Sequence, residues 1–196
     1  PMRLFLYSVL LQLVLEFRDT IYTGRDILLT ARAEGASDGT EAVFKISSNR
    51  SEQVRTVHGK ITDGKAEAVW TVECLEPLSS IKKGETVSYS FTCEAGGKTI
   101  TKSAPAALSF VCRVYFMGPE DVSDFKDVYE LQSTDGSYRK KVRVANSTSQ
   151  ADNPSSRILE FDGVKPGLRY RLDYFNEEGV SPNTVKENVS FAEIME

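Results

Sequence analysis

The chain has one histidine, His58, and three cysteines, Cys74, Cys93 and Cys112, in 196 residues, and these few side chains bound its chemistry. Acyl transfer by a triad or a Cys–His pair would have to use His58, because the nucleophile needs a base and a group that orients that base. His58 lies inside an extended run, Val54 to Ile61, and no Gly-rich nucleophile elbow is expected anywhere in the chain. It therefore reads as a structural or surface histidine, and no catalytic residue is expected. One histidine and three scattered cysteines also miss the spacing of zinc ligands, so no metal or cofactor is expected. Without a CxxC pair the cysteines read as small buried hydrophobes, with a single Cys74–Cys93 bridge left open. Asp121, Asp124 and Asp127 recur every three residues after Gly118-Pro119. They lack the alternate-residue ligands and closing Glu of an EF-hand, so a solvated acidic loop is expected, with Ca²⁺ binding left open.

The remaining candidate chemistry is cationic. Arg139, Lys141 and Arg143 share one parity of a strand, and Arg169 and Arg171 lie on the strand that follows Pro166-Gly167, so both sets point outward from a half-buried sheet. If those two strands pair, the five cations form a basic face suited to docking onto an acidic protein surface. The alternative is a solvated face partly neutralised by Glu160 and Asp173. Reversing Arg139, Arg143 and Arg171 to Glu is expected to leave the melting temperature nearly unchanged and to weaken partner binding in a salt-dependent way. Nucleic acid is not expected, since no aromatics interleave with these cations to stack bases. Bulk charge agrees: the net charge is −4, and the acidic surplus falls after Val111, where 15 acidic residues face 11 basic ones.

The elements that would position these groups are strands. Asp63-Gly64 supplies the positive-φ positions of a tight hairpin, and Ala66, Ala68, Trp70 and Val72 then recur two apart, which only a strand buries on one side. The lone Trp70 thus marks the core of a first module. Val9 to Phe17, Ile27 to Ala33, Ala42 to Ile46 and Val87 to Cys93 carry further period-2 patterns, and Gly96-Gly97 turns into a polar edge strand at Thr99 to Thr101. The apolar run Leu4–Leu15 reads as strand rather than signal peptide, since no small-x-small site follows it, and it is too short to span a bilayer as a helix. Beyond Val111, Asp135-Gly136 marks a turn, Leu159 and Phe161 enter a core, and Tyr170 follows Pro166-Gly167 where β-sandwiches place a tyrosine that hydrogen-bonds back across a corner. No helix pattern is visible. The expected fold is all-β, with two β-sandwiches in tandem over 1–110 and 111–196 and a short rigid junction at Ala107 to Phe116.

Three stretches carry a family resemblance: Gly39-Thr40 with Val43 to Ile46, Gly59 to Val72, and Tyr89 to Thr92 with its Gly-Gly hairpin. They resemble bacterial immunoglobulin-like modules found beside spike parts of type VI secretion and related contractile injection systems. Ser133 to Tyr138 and the Pro166 to Tyr170 corner resemble the transthyretin-like β-domain that accompanies them. The resemblance implies a non-enzymatic binding or adaptor module, made in the bacterial cytoplasm and exported through an injection system, whose partner is a spike or effector protein. The chain departs from that family in having no spike β-helix repeat, PAAR-like tip, LysM or peptidase motif. A secreted or cell-surface adhesin or carbohydrate-binding accessory module is the alternative, with Tyr174 and Phe175 as its nearest approach to an aromatic platform.

Overall fold

The structure, a computed structural model, describes residues 11–15, 19–33, 35–101, 105–117, 127–150, 153–175 and 183–196. The chain is all-β. In order its strands are β1 (Leu11–Leu15), β2 (Thr20–Tyr22), β3 (Asp26–Ala33), β4 (Glu41–Ser48), β5 (Val54–Thr62), β6 (Lys65–Thr71), β7 (Ser88–Ala95), β8 (Lys98–Thr101) and β9 (Ala106–Met117). They continue as β10 (Val128–Ser133), β11 (Arg139–Arg143), β12 (Thr148–Gln150), β13 (Asn153–Val164), β14 (Arg169–Phe175) and β15 (Asn183–Ser190), followed by one short helix, α1 (Phe191–Met195). The chain divides into two compact units: Pro1–Glu76 with Thr86–Leu108, and Pro77–Glu85 with Ser109–Glu196.

In the first unit β1 pairs with β3 and β3 with β6, while β5 pairs with β4, β4 with β7 and β7 with β8. All of these pairs are antiparallel, as short connections require. The β5–β6 hairpin turns at Asp63 and Gly64, with φ of 51° and 72°. Positive φ at both central residues is what matches a two-residue turn to the twist of its strands. Trp70 is buried and meets Tyr89 and Phe91 edge-on, with ring centroids 5.6 and 6.1 Å apart. Val87, Tyr89, Phe91 and Cys93 are all buried, as their spacing requires. The three cysteines are free thiols, Cys93 and Cys112 buried and Cys74 half-buried. Of the expected first strand, Leu11–Leu15 pairs with β3, and residues 1–10 and 16–18 lie outside the described ones.

In the second unit β9 pairs with β13 and β13 with β12, while a four-stranded sheet runs β11-β10-β14-β15. Leu131, Tyr138, Leu159, Phe161, Tyr170 and Leu172 are buried here. Tyr170 makes the expected corner: its Oη donates to the Lys165 carbonyl at 2.7 Å and accepts from the Lys165 N–H at 2.8 Å. The segment 77–85 also belongs to this unit, although it precedes β7 in sequence. Its Lys83 backbone lies so close to Gly167 (φ 75°) that a Cβ there would fall 2.3 Å from the Lys83 nitrogen. Helix α1 corrects the expectation of no helix. Ser190 caps it by accepting from the Glu193 N–H at 3.2 Å, and the Glu193 carboxylate accepts from the Ser190 N–H at 2.6 Å. This reciprocal capping box lets five residues hold a helical turn while Phe191 and Ile194 are buried. No helix among the described residues is long and apolar enough to cross a membrane.

Candidate functional site

The cations that the sequence singles out come together on one sheet, in an arrangement that differs from direct pairing of their two strands. Strands β11 and β14 flank β10 on either side. Residues directly opposite each other across an antiparallel pair point to the same face. The register sets Arg139 opposite Gln132 and Gln132 opposite Arg171, and the next row aligns Lys141, Glu130 and Asp173. Leu131 and Leu172, on the other parity, are buried in the core. Arg139, Lys141, Arg143, Arg169 and Arg171 therefore share the outer face of the β11-β10-β14-β15 sheet.

Two carboxylates lie at the centre of that face. Glu130 and Asp173 are each 1% exposed and directly opposite one another. Like charges so placed repel, and burial makes an unpaired charge costly. Each carboxylate has its own cations. Arg139 Nε and Lys141 Nζ approach Glu130 Oε2 at 3.1 and 3.5 Å, as ion contacts rather than aligned hydrogen bonds. Arg171 Nε donates to Asp173 Oδ2 at 2.9 Å, Gln132 Nε2 donates to the same oxygen at 3.2 Å, and Thr184 Oγ1 donates to Oδ1 at 3.2 Å. The Lys141 ammonium also sits 5.2 Å from the centre of the Phe175 ring.

The five cations are consequently not equivalent. Arg139 and Lys141 keep 65% and 56% of their side chains exposed, so they neutralise Glu130 while presenting charge to solvent. Arg171 is more tightly committed to Asp173, and Arg169 donates from Nε to Asn188 Oδ1 at 2.6 Å at the bulged end of the β14–β15 pair. Arg143 is exposed and has no carboxylate within ion-pair distance among the described residues. This changes the expectation for charge reversal: Glu at 139 or 171 would place a third negative charge beside two buried carboxylates and lower stability, whereas Glu at 143 would not. Lys140 has the core-facing parity and reaches out to pair with Asp162. Beside Arg171 a hollow of about 300 Å³ is lined by Gln132, Ser133, Thr134, Glu187 and Asn188.

Of the two expected neutralising carboxylates, Asp173 takes that part, while Glu160 lies on β13 opposite Arg113, 3.8 Å from its Nε. Glu130 was missed. Its signal was available in parity alone, since Glu130 alternates with the core residue Leu131, but its burial depends on strands distant in sequence.

The other candidates are distributed elsewhere. His58 is exposed on β5, its Nδ1 2.8 Å from Glu41 Oε1. Gly35-Ala36-Ser37-Asp38-Gly39 has the letters of a nucleophile elbow, a match the sequence reading missed, yet it joins strand β3 to strand β4 rather than a strand to a helix. The Ser37 carbonyl there accepts from Thr40 Oγ1 at 2.7 Å, and Asp38 Oδ1 accepts from the Asp63 N–H at 2.9 Å. Asp121 and Asp124 lie outside the described residues, and Asp127 is buried, its carbonyl taking the Val144 N–H at 3.0 Å. In the first unit buried Glu76 accepts from Ser48 Oγ and, at 3.2 Å, from Ser51 Oγ, which ties down the β4–β5 turn. Burial pushes the nearby Cys74 thiol up, which suppresses its thiolate. Among the described residues no three His, Cys, Asp or Glu side chains gather as a metal centre would need. Compared with known proteins, the chain matches no family model and no curated protein.

Proposed function

We propose that the chain is a non-enzymatic docking module, built as an immunoglobulin-like and a transthyretin-like β-sandwich, that binds an acidic surface of a protein partner through the outer face of the β11-β10-β14-β15 sheet. The observation that carries this reading is the convergence of Arg139, Lys141, Arg143 and Arg171 on one face, with two of them held in place by a carboxylate that is itself buried. Cations ordered in this way lose less side-chain freedom on binding than free lysines and arginines would. Such a face raises the rate of encounter with an acidic partner. The sequence resemblance supports placing the partner in a bacterial secreted assembly, a spike or effector of type VI secretion kind.

The test is co-purification of the tagged chain with the spike and effector proteins encoded beside it, at low and high salt, for wild type and Arg143→Glu. Arg143→Glu is expected to leave the melting temperature unchanged, since exposed charges contribute about 0–1 kcal/mol, and to weaken capture most at low salt. Equal capture of wild type and variant at low salt would move the contact off this face. Failure to capture any neighbouring component would remove the secretion assignment.

A further inference from the structure

The edge of the same sheet says how a partner is gripped. In the β10–β11 ladder the Ser133 N–H donates to the Tyr138 carbonyl at 2.9 Å and the Val144 N–H to the Asp127 carbonyl at 3.0 Å. Antiparallel ladders alternate bonded and non-bonded pairs. With the register fixed, Lys140 and Val142 also direct their N–H and C=O groups toward β10. Arg139, Lys141 and Arg143 must then direct theirs away, and no described strand pairs with β11 on that side. The three residues that carry outward cations are thus the same three whose backbone donors and acceptors have no strand partner among the described residues.

We infer that β11 is a strand-addition site: an extended segment of the partner, with carboxylates at alternate positions, pairs antiparallel with Arg139 to Arg143. This rests on the docking function proposed above and specifies its mode. In such a pair the partner residues that bond to Arg139, Lys141 and Arg143 lie directly opposite them and point to the same face. Carboxylates at those positions meet three cations in register, while the intervening side chains face the other way. Backbone bonds supply affinity and the alternating charges select the sequence. A second copy of this chain is not the occupant, because antiparallel pairing of two β11 strands would set Arg139 against Arg143 and Lys141 against itself. Charged residues on an edge ordinarily keep other edges away; here they exclude a like edge and admit an acidic one.

The experiment measures binding of synthetic ten-residue peptides to the full chain at low salt, by fluorescence anisotropy. The reference peptide alternates Glu with Thr or Val. Spacing its Glu residues three apart instead, which sets one of them opposite a cation in any register, is expected to weaken binding roughly fivefold, the loss of two cross-strand charge pairs. N-methylation at the Glu positions, whose N–H groups face β11, is expected to abolish binding. N-methylation at the intervening positions, whose N–H groups face away, is expected to leave it unchanged. Lys141→Pro, which removes an outward N–H at an edge position that tolerates proline, should bind more weakly than Lys141→Gln, with circular dichroism confirming that both fold. If all four peptides bind wild type alike and Arg143→Glu weakens them all, the basic face stands and strand addition is overturned. If none binds, strand addition is overturned as well, and the docking function is then judged by the co-purification alone.

Discussion

Strand β6 in the first unit alternates without exception between exposed and buried residues from Lys65 to Thr71, whereas β14 in the second unit buries Leu172 and Asp173 in succession. The first pattern is that of a sheet with one dry face and one wet face. The second departs from it because the outer face contains its own buried layer, Glu130 and Asp173 beneath Arg139, Lys141 and Arg171. A surface meant only to be wet has no need of buried carboxylates, and the departure marks where the molecule orders its charge.

The sharpest way to separate the two units is at their turn glycines. In the second, Gly167→Ala drives a Cβ into the Lys83 backbone and forces alanine to a φ of 75°, so a loss of about 3 kcal/mol or more is expected. In the first, Gly64→Ala has the positive φ but only a 3.5 Å contact with the Ala33 carbonyl, and about 1–2 kcal/mol is expected. Denaturant unfolding of the two variants measures this. Equal losses would mean that the segment 77–85 yields at no cost.

The next comparison pairs two buried tyrosines. Tyr89 Oη donates to the Glu73 carbonyl and accepts from the Leu75 N–H, as Tyr170 does with Lys165. Tyr89→Phe and Tyr170→Phe should each cost about 1–3 kcal/mol, because each leaves a backbone donor and acceptor unpaired. Burial pushes the Tyr170 phenol up to about 12 and the Cys93 and Cys112 thiols up to about 11. A raised folded-state pKa means that the fold favours the neutral form, so these contributions are complete below the unfolded values of 9.0 for the thiols and 10.0 for the phenol and are lost as pH rises through the folded ones. The melting temperature is expected to fall from about pH 9 onward, with Tyr170→Phe removing one share of the fall above pH 10, where burial also raises Tyr89 and Tyr138. A flat profile to pH 11 would show that the neutral forms contribute nothing.

The smallest effect tests the buried layer. Glu130→Gln and Asp173→Asn should each cost about 1 kcal/mol, a low figure because their cations are solvent-exposed and stay hydrated. The two carboxylates repel, and either substitution alone removes that repulsion. The double variant should therefore cost more than the sum of the singles, by about 0.5 kcal/mol. A double-mutant cycle in which the sum is met or undershot would show that the cations cancel the repulsion completely.

Much of this was legible in the residues. Asp63-Gly64 and Pro166-Gly167 declare their turns because few residues tolerate positive φ, and Trp70 and Tyr170 declare burial by size and spacing. What escaped depends on distant strands. Tyr89 has the same clamp as Tyr170 but no Pro-Gly corner before it to mark it. Glu130 becomes central only when β11 and β14 close on either side. Helix α1 was within reach, since Ser190 and Glu193 have the capping-box spacing, but a five-residue helix shows no periodicity.

The early placement of 77–85 in the second unit bears on the order in which the chain folds. Lys83 reaches Asp135, 52 residues further on, through a 3.3 Å ion contact, and its backbone backs the Gly167 corner. During synthesis this segment leaves the ribosome before β7 and long before the strands it joins. Its place against the Gly167 corner can be taken up only after the chain through Gly167 has been made. Contacts of such long sequence separation fold slowly, and a chain stopped short of that point displays Ile81, buried in the finished protein, to whatever chaperone or neighbouring chain is present.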